Sequence, residues 1–343
     1  ISSLRAVPTF CRHNHLIQNC SICSREQSIE PRPLVTSSTP GGERSAGSTT
    51  RSVREGRSGQ GRPRSAGRSR GPGGGVTVRR LRTTVDDGYR CSLVPGLKSQ
   101  LEAEGLAEEL AFSATRLRRL GDDPPGLYQE VAAAGDIEER TWLAFLIAYL
   151  GPLPDAEDPF RDIRSARTAW ATGVLPGLDG VATGPRTAHD PGRGSETLRA
   201  YRGWAQRSGS QASAYTGEPA WGSQRRFARV FERLALPGLH RAARFDLLLT
   251  LGQTGVYELE AGSLGLGGTD EVTVAAKRAL GIGDSMLLER RAAQLAGACR
   301  VPLAALDVGF YNWERGKRYA AGLAPDAQPD QDLLGATTGA LGL

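Results

Sequence analysis

The chain has 343 residues, a formal net charge of +6, and is 39% hydrophobic and 23% charged, enough for one large domain or two ordinary ones. Its longest apolar run, 142–150, is far shorter than the roughly 20 residues a bilayer span needs, and the first thirty residues carry no signal-peptide-like run. Cys11, Cys20 and Cys23 cluster while Cys91 and Cys299 stand alone, which excludes a disulfide scaffold and points to a reducing, cytoplasmic setting with no membrane.

In chain order, the first element (residues 1–30) reads Cys11-Arg12-His13-Asn14-His15, then Cys20-Ser21-Ile22-Cys23. Three thiols and an imidazole at this spacing form the Cys₃His set that structural zinc favours. The expected ligands are Cys11, His13, Cys20 and Cys23, with His15 as a substitute for His13; the competing reading is a set of unliganded thiols. Residues 31–75 form a linker rich in Arg, Gly and Ser. The stretch 31–82 holds twelve arginines against Glu43 and Glu55, so the basic charge belongs to a tail and the rest of the chain is slightly acidic. Such a segment buries too little apolar surface to offset the entropy of ordering and is expected to be disordered.

A folded domain is expected over 76–325. Residues 76–91, with β-branched side chains and the Asp86-Asp87-Gly88 turn, predict a short β-hairpin. Leu101, Leu106, Leu110, Leu117 and Leu120 then mark an amphipathic helical stretch that breaks at Gly121 and at Pro124-Pro125. Residues 138–150 begin with acids and continue apolar nearly all round, predicting a central buried helix. The stretch 173–220 reads as a long loop with one short helix near 196–206, and loops of that length are often functional. Phe227, Val230, Phe231 and Leu234 share the face of another helix, ended by Leu236-Pro237-Gly238.

The C-terminal block predicts a helix over 271–280, a stop at Gly281-Ile282-Gly283-Asp284, and a helix over 285–299. Leu288, Ala292, Leu295 and Cys299 line its apolar face, with Arg290 on the far side. A last helix carries Leu303, Leu306, Phe310 and Trp313, and 326–343 reads as a flexible tail.

Leu236-Pro237-Gly238-Leu239-His240 and Leu280-Gly281-Ile282-Gly283-Asp284 each have the form of a helix-hairpin-helix turn, in which backbone N–H groups approach a phosphate. This makes Gly238, Gly281, Gly283, Arg290 and Arg291 the candidate DNA- or phosphate-binding residues. The plainer reading is local: Gly281 as a helix C-cap and Asp284 as an N-cap.

The strings Cys11-Arg12-His13-Asn14, Leu16-Ile17-Gln18-Asn19-Cys20-Ser21-Ile22-Cys23, Ala275-Ala276-Lys277-Arg278-Ala279-Leu280-Gly281-Ile282-Gly283-Asp284, Leu288-Glu289-Arg290-Arg291-Ala292, Leu306-Asp307 and Asn312-Trp313 resemble the α-glutamyl/putrescinyl thymine pyrophosphorylase family. The resemblance omits the linker. It implies a mostly α fold: a helix-hairpin-helix, DNA-glycosylase-like helical domain with a small zinc-knuckle-like element. The implied activity is on hypermodified pyrimidines in DNA. A catalytic acid would lie about twenty residues past Leu236-Pro237-Gly238, where Ala261 and Gly262 stand, and a lyase lysine near Ala242; both are missing, which disfavours Schiff-base chemistry. Glu260 or Glu258 must then supply the acid, with Lys277, Asp284 and Asp307 as further catalytic candidates. Against each stands the ordinary solvated charge, and for Glu289 with Arg290 and Arg291 a plain surface ion pair. Three functions follow: substituent exchange at the 5-methylene of an activated thymine with release of pyrophosphate, glycosidic cleavage of modified bases, or non-catalytic DNA binding.

Overall fold

The computed structural model describes residues 85–154, 156–320, 322–323 and 327–343, all within the unit Val78–Leu343. Among them the secondary structure is helical, with no strand. The zinc-ligand candidates and the linker lie outside the described residues, as does most of the first arm of the expected hairpin.

The described part of the hairpin segment is an irregular turn, for a reason visible in its acids. Asp86 Oδ1 accepts from the Gly88 N–H at 3.0 Å, Asp87 Oδ1 from the Tyr89 N–H at 2.9 Å, and Asp87 Oδ2 from the Gln100 N–H at 2.8 Å. The carboxylates bond backbone donors locally and at the next helix start, in place of a strand ladder.

Helix α1 (Gln100–Asp122) buries Leu106, Leu110, Leu117 and Leu120, but Leu101 is 76% exposed. After α2 (Leu127–Ala132) comes α3 (Ile137–Leu150). The Asp136 side chain caps α3, Glu138 and Glu139 complement its dipole, and Gly151 at φ 74° ends it. From Thr141 to Leu150 every side chain is buried, as the all-round apolar pattern predicts. Phe145 stacks on Tyr201 with ring centroids 3.8 Å apart, and Trp204, Tyr215 and Tyr257 extend the aromatic core.

The long connection after α4 (Arg161–Ala166) is fastened to the end of α3. Gly184 N–H donates to Leu150 O at 3.0 Å, Ala188 N–H to Tyr149 O at 2.9 Å, and Thr187 Oγ1 to the same oxygen at 2.9 Å. These bonds satisfy carbonyls that a helix C-terminus leaves open. Two helices follow where one was expected: α5 (Gly194–Arg207) and α6 (Gln211–Thr216). The Glu138 carboxylate accepts from the Gln211 and Ala212 N–H groups at 3.0 and 2.8 Å, placing a negative charge at the start of α6.

Helix α7 (Ser223–Arg233) leads through the Leu236–His240 turn into α8 (Arg241–Gln253), a helix not read from the sequence. Then come α9 (Glu271–Leu280), α10 (Ser285–Ala298) and α11 (Ala305–Arg315). The expected loose tail instead ends in α12 (Gln331–Leu341), capped by Asp330 and packed on α1. Thr337 Oγ1 donates to Ala107 O at 3.2 Å, and the Tyr89 hydroxyl to Leu341 O at 2.6 Å. No helix among the described residues is long and apolar enough to cross a membrane.

Candidate functional site

Helices α9 and α10 form a compact pair around the second glycine turn. The Asp270 carboxylate caps α9; Gly281, at φ 65°, ends it with its N–H donating to Lys277 O at 3.0 Å. Asp284 Oδ1 caps α10 through the Leu287 N–H at 2.9 Å. Both cap roles expected of Gly281 and Asp284 are therefore filled. The turn is held from behind by Gly96, whose N–H donates to Ala279 O at 3.0 Å. Gly283 has open space where a side chain would stand.

Leu288, Ala292, Leu295 and Cys299 face the core, and burial pushes the Cys299 thiol up to about 11. The opposite face of α10 is solvent-exposed and carries Met286, Leu287, Arg290, Arg291 and Gln294, with a shallow groove of about 250 Å³ between the last four. Glu289 does not pair with its neighbours. Its carboxylate accepts from the Leu264 and Leu266 N–H groups at 2.8 and 2.6 Å, fastening the loop before α9. Arg290 and Arg291 consequently have no carboxylate partner among the described residues; Arg291 reaches only Gln294 Oε1 at 3.3 Å. On α9 and on and just after α11 the arginines are matched: Arg278 with Glu102 and Glu314, Arg315 with Glu271, Arg318 with Glu108 and Glu109.

The first glycine turn is built differently. Gly238 lies at φ 76°, and a Cβ there would come within 2.2 Å of Thr197 Oγ1, so this turn is packed against α5. His240, isolated in the sequence, caps α8: its Nδ1 accepts from the Ala243 N–H, which leaves Nε2–H to donate to Thr187 O at 2.7 Å.

The four catalytic candidates are not brought together, and no hydrogen bond or ion pair joins any two of them. Glu260 is exposed and accepts from Ser223 Oγ and Gln224 Nε2, both at 3.1 Å, at the start of α7. Asp284 serves as the α10 cap, and Lys277 is half-buried on the last turn of α9. Asp307 is fully buried. One of its oxygens accepts from Arg186 Nη2 at 2.5 Å, the other from Arg241. Arg186 also makes a two-bond contact with Asp246 at 2.8 and 3.1 Å and lies over the Tyr311 ring; Arg241 reaches Asp270 at 3.0 Å and Leu264 O at 2.6 Å. Burial alone would raise the Asp307 carboxyl, but the two guanidiniums outweigh it and hold it below the ordinary range. In this setting Asp307 ties α11 to α8 and to the cap of α9.

A cleft that the sequence signals only as a long loop lies between residues 176–181 and the start of α5, with a volume of about 580 Å³. His189 lines it. Its Nδ1 sits 3.2 Å from the Tyr149 hydroxyl, and Nε2 has no protein partner among the described residues. Partial burial lowers its pKa against the opposing charges of Asp190 and Asp179, so the ring is neutral near pH 7 and its free nitrogen can exchange a proton with a bound group.

No group of three His, Cys, Asp or Glu able to hold a metal occurs among the described residues. No protein-family model, curated protein or solved structure matches the chain.

Proposed function

We propose that this chain binds DNA through the turn between α9 and α10 and the outer face of α10. The observation that carries the reading is the pair Arg290 and Arg291: adjacent, exposed and without a carboxylate partner among the described residues, while the acid just before them, Glu289, is turned into the fold. Arginines left free in this way bind phosphate oxygens and release counterions from the duplex. Gly283 lets the backbone approach closely, and Lys277, with no ion pair among the described residues, adds charge on α9. The Arg-rich stretch 31–82 adds a non-specific electrostatic contribution. Binding is tested by fluorescence anisotropy of a labelled duplex at two salt concentrations, with R290A/R291A beside the unchanged chain. Equal affinity of the two would remove the reading.

The His189 cleft favours a second layer to this function, in which the protein acts on hypermodified pyrimidines in DNA. On the family resemblance the reaction is exchange at the 5-methylene of an activated thymine with release of pyrophosphate, or else glycosidic cleavage. A neutral imidazole with one nitrogen free suits the proton transfer either needs. Mass spectrometry of phage DNA carrying such bases, after incubation with the protein, distinguishes an altered nucleoside from a released base; unchanged DNA leaves the binding role alone. The same reading assigns a structural zinc to Cys11, His13, Cys20 and Cys23 and a cytoplasmic location, the former checked by metal analysis of the purified protein.

A further inference from the structure

Met286 is 82% exposed and Leu287 52% exposed, an adjacent pair of large apolar side chains on the first turn of α10. Met286 is the most exposed of the large apolar side chains described. The local fold gives a reason for its position. Asp284 starts the helix and Leu288 anchors it in the core, so the two residues between Ser285 and Leu288 are turned outward. Arg290 stands four residues beyond Met286, and Arg291 four beyond Leu287. Helix geometry therefore sets each arginine above an apolar side chain on one face, about 6 Å along the axis. The nearest acid on this helix face, Asp284, has its Oδ1 engaged with the Leu287 N–H.

An exposed apolar pair on its own does not identify what covers it. Here it stands at the tip of a glycine turn open to close backbone approach at Gly283, one helical turn ahead of two guanidiniums without acid partners. Charge complementarity selects a polyanion, and an apolar tip beneath phosphate-binding groups suits a polyanion that also has apolar surface to offer. Stacked bases have that surface, and Met and Leu are among the side chains that enter base steps.

We propose that Met286, supported by Leu287, is a wedge that enters a base step of duplex DNA from the minor groove while Arg290 and Arg291 hold the phosphates beside it. The proposal rests on the DNA-binding reading above and adds its mode: the duplex is unstacked and bent at the contact, and flexible pyrimidine–purine steps are preferred.

The test uses the full chain and duplexes carrying 2-aminopurine at successive steps around a TA step, with dyes at the two ends. Anisotropy reports binding, 2-aminopurine fluorescence reports unstacking, and energy transfer reports bending. The unchanged protein is expected to raise 2-aminopurine fluorescence at one step and shorten the end-to-end distance. M286A/L287A is expected to lose both signals and to weaken binding, while keeping a salt-dependent affinity. L101A, an exposed apolar change on α1, leaves all three readouts as they are. Binding without a fluorescence rise at any step overturns the wedge and leaves DNA binding standing; no binding at all overturns both. A change of oligomeric state in M286A/L287A, with the 2-aminopurine signal intact, assigns the patch to a second copy of the chain and likewise overturns the wedge. Both side chains are exposed, so circular dichroism of the double variant should match that of the unchanged protein.

Discussion

Asp307 on α11 and Arg186 in the connection before α5 meet at 2.5 Å with their side chains 0% and 1% exposed, across 121 residues of sequence. A second arginine, Arg241, shares the same carboxylate, and Asp246 and Asp270 take further bonds from Arg186 and Arg241, so Asp307 is the fully buried bridge between two guanidiniums in a network of three carboxylates. Removing the bridging carboxylate brings the two buried guanidiniums face to face with only Asp246 and Asp270 left to balance them, and breaking a buried pair of this kind costs up to about 3–5 kcal/mol. Asp307→Asn is therefore expected to lower the urea midpoint strongly, with the whole fold melting as one transition. A variant that loses activity at full stability would return Asp307 to a catalytic role.

The acid dependence of that contribution has a definite sign. The Asp307 carboxyl is held below its ordinary value of 3.8 by Arg241 and Arg186, against the opposing effect of burial. A depressed folded-state pKa means the unfolded chain takes up the proton first. The stabilisation is complete above about pH 4 and is lost as pH falls through the lower folded value. The stability gap between the unchanged protein and Asp307→Asn should stay constant from pH 7 to 5 and close only in stronger acid. Urea titrations across that range measure it, and a gap closing near neutrality would contradict the assignment.

The helices of the C-terminal block are legible because their signals are local: the α9 stop at Gly281, the α10 cap at Asp284 and the apolar stripe from Leu288 to Cys299 lie within one short stretch. The buried ion network is not legible in this way, since Arg186, Arg241 and Asp307 are distant in sequence and each alone looks like a surface charge. One signal did exist. Asp307, Phe310 and Tyr311 follow helical spacing, which sets the carboxylate on the apolar stripe of α11. The tail offered another: Asp330 ahead of Leu333, Leu334, Thr337 and Leu341 has the cap and period of an amphipathic helix. His189 and His240 gave no signal at all, because their partners, Tyr149 and Thr187, are fixed by how the long connection folds back on α3.

The two glycine turns should respond differently to the same change. Gly238→Ala forces a side chain into left-handed backbone, costing about 1–2 kcal/mol, and against Thr197 Oγ1 at 2.2 Å, adding about 1–3 kcal/mol of overpacking. Thr197→Ala in the same chain should recover the second part only. Gly283 has neither a positive φ nor a close neighbour, so Gly283→Ala should leave stability within about 0.5 kcal/mol and weaken DNA binding instead. Thermal melts of the three variants separate the cases; equal destabilisation at both glycines would show that the second turn is also packed.

His189 should titrate below its ordinary value of 6.5, because partial burial disfavours the charged ring more than Asp190 and Asp179 favour it. The sign again follows from linkage. With the folded value depressed, its contribution to stability is complete above 6.5 and declines as pH falls through the folded value. A two-dimensional NMR titration of the imidazole reports the midpoint directly, and His189→Asn should flatten the decline in melting temperature between pH 7 and 5. A midpoint above 6.5 would mean that the aspartates dominate, and the ring in the cleft would then be a cation near neutrality.

The strongest test of the outer face of α10 is its salt dependence. Two guanidiniums that contact phosphates release counterions on binding, so each one removed should lower the slope of log affinity against log salt by about 1. Arg290→Ala and Arg291→Ala should each weaken binding uniformly across duplex sequences, and the double variant should lose close to the sum of the two. Neither residue has an acid partner within the described fold, so their removal leaves no buried charge behind and melting should hold within about 0.5 kcal/mol. The Arg-rich stretch 31–82 has a slope of its own, and its deletion should subtract from both the unchanged and the double-variant chain alike. If the slope instead disappears with that deletion and is indifferent to Arg290 and Arg291, the DNA contact belongs to the basic stretch, and the exposed face of α10 must be matched to a different polyanion.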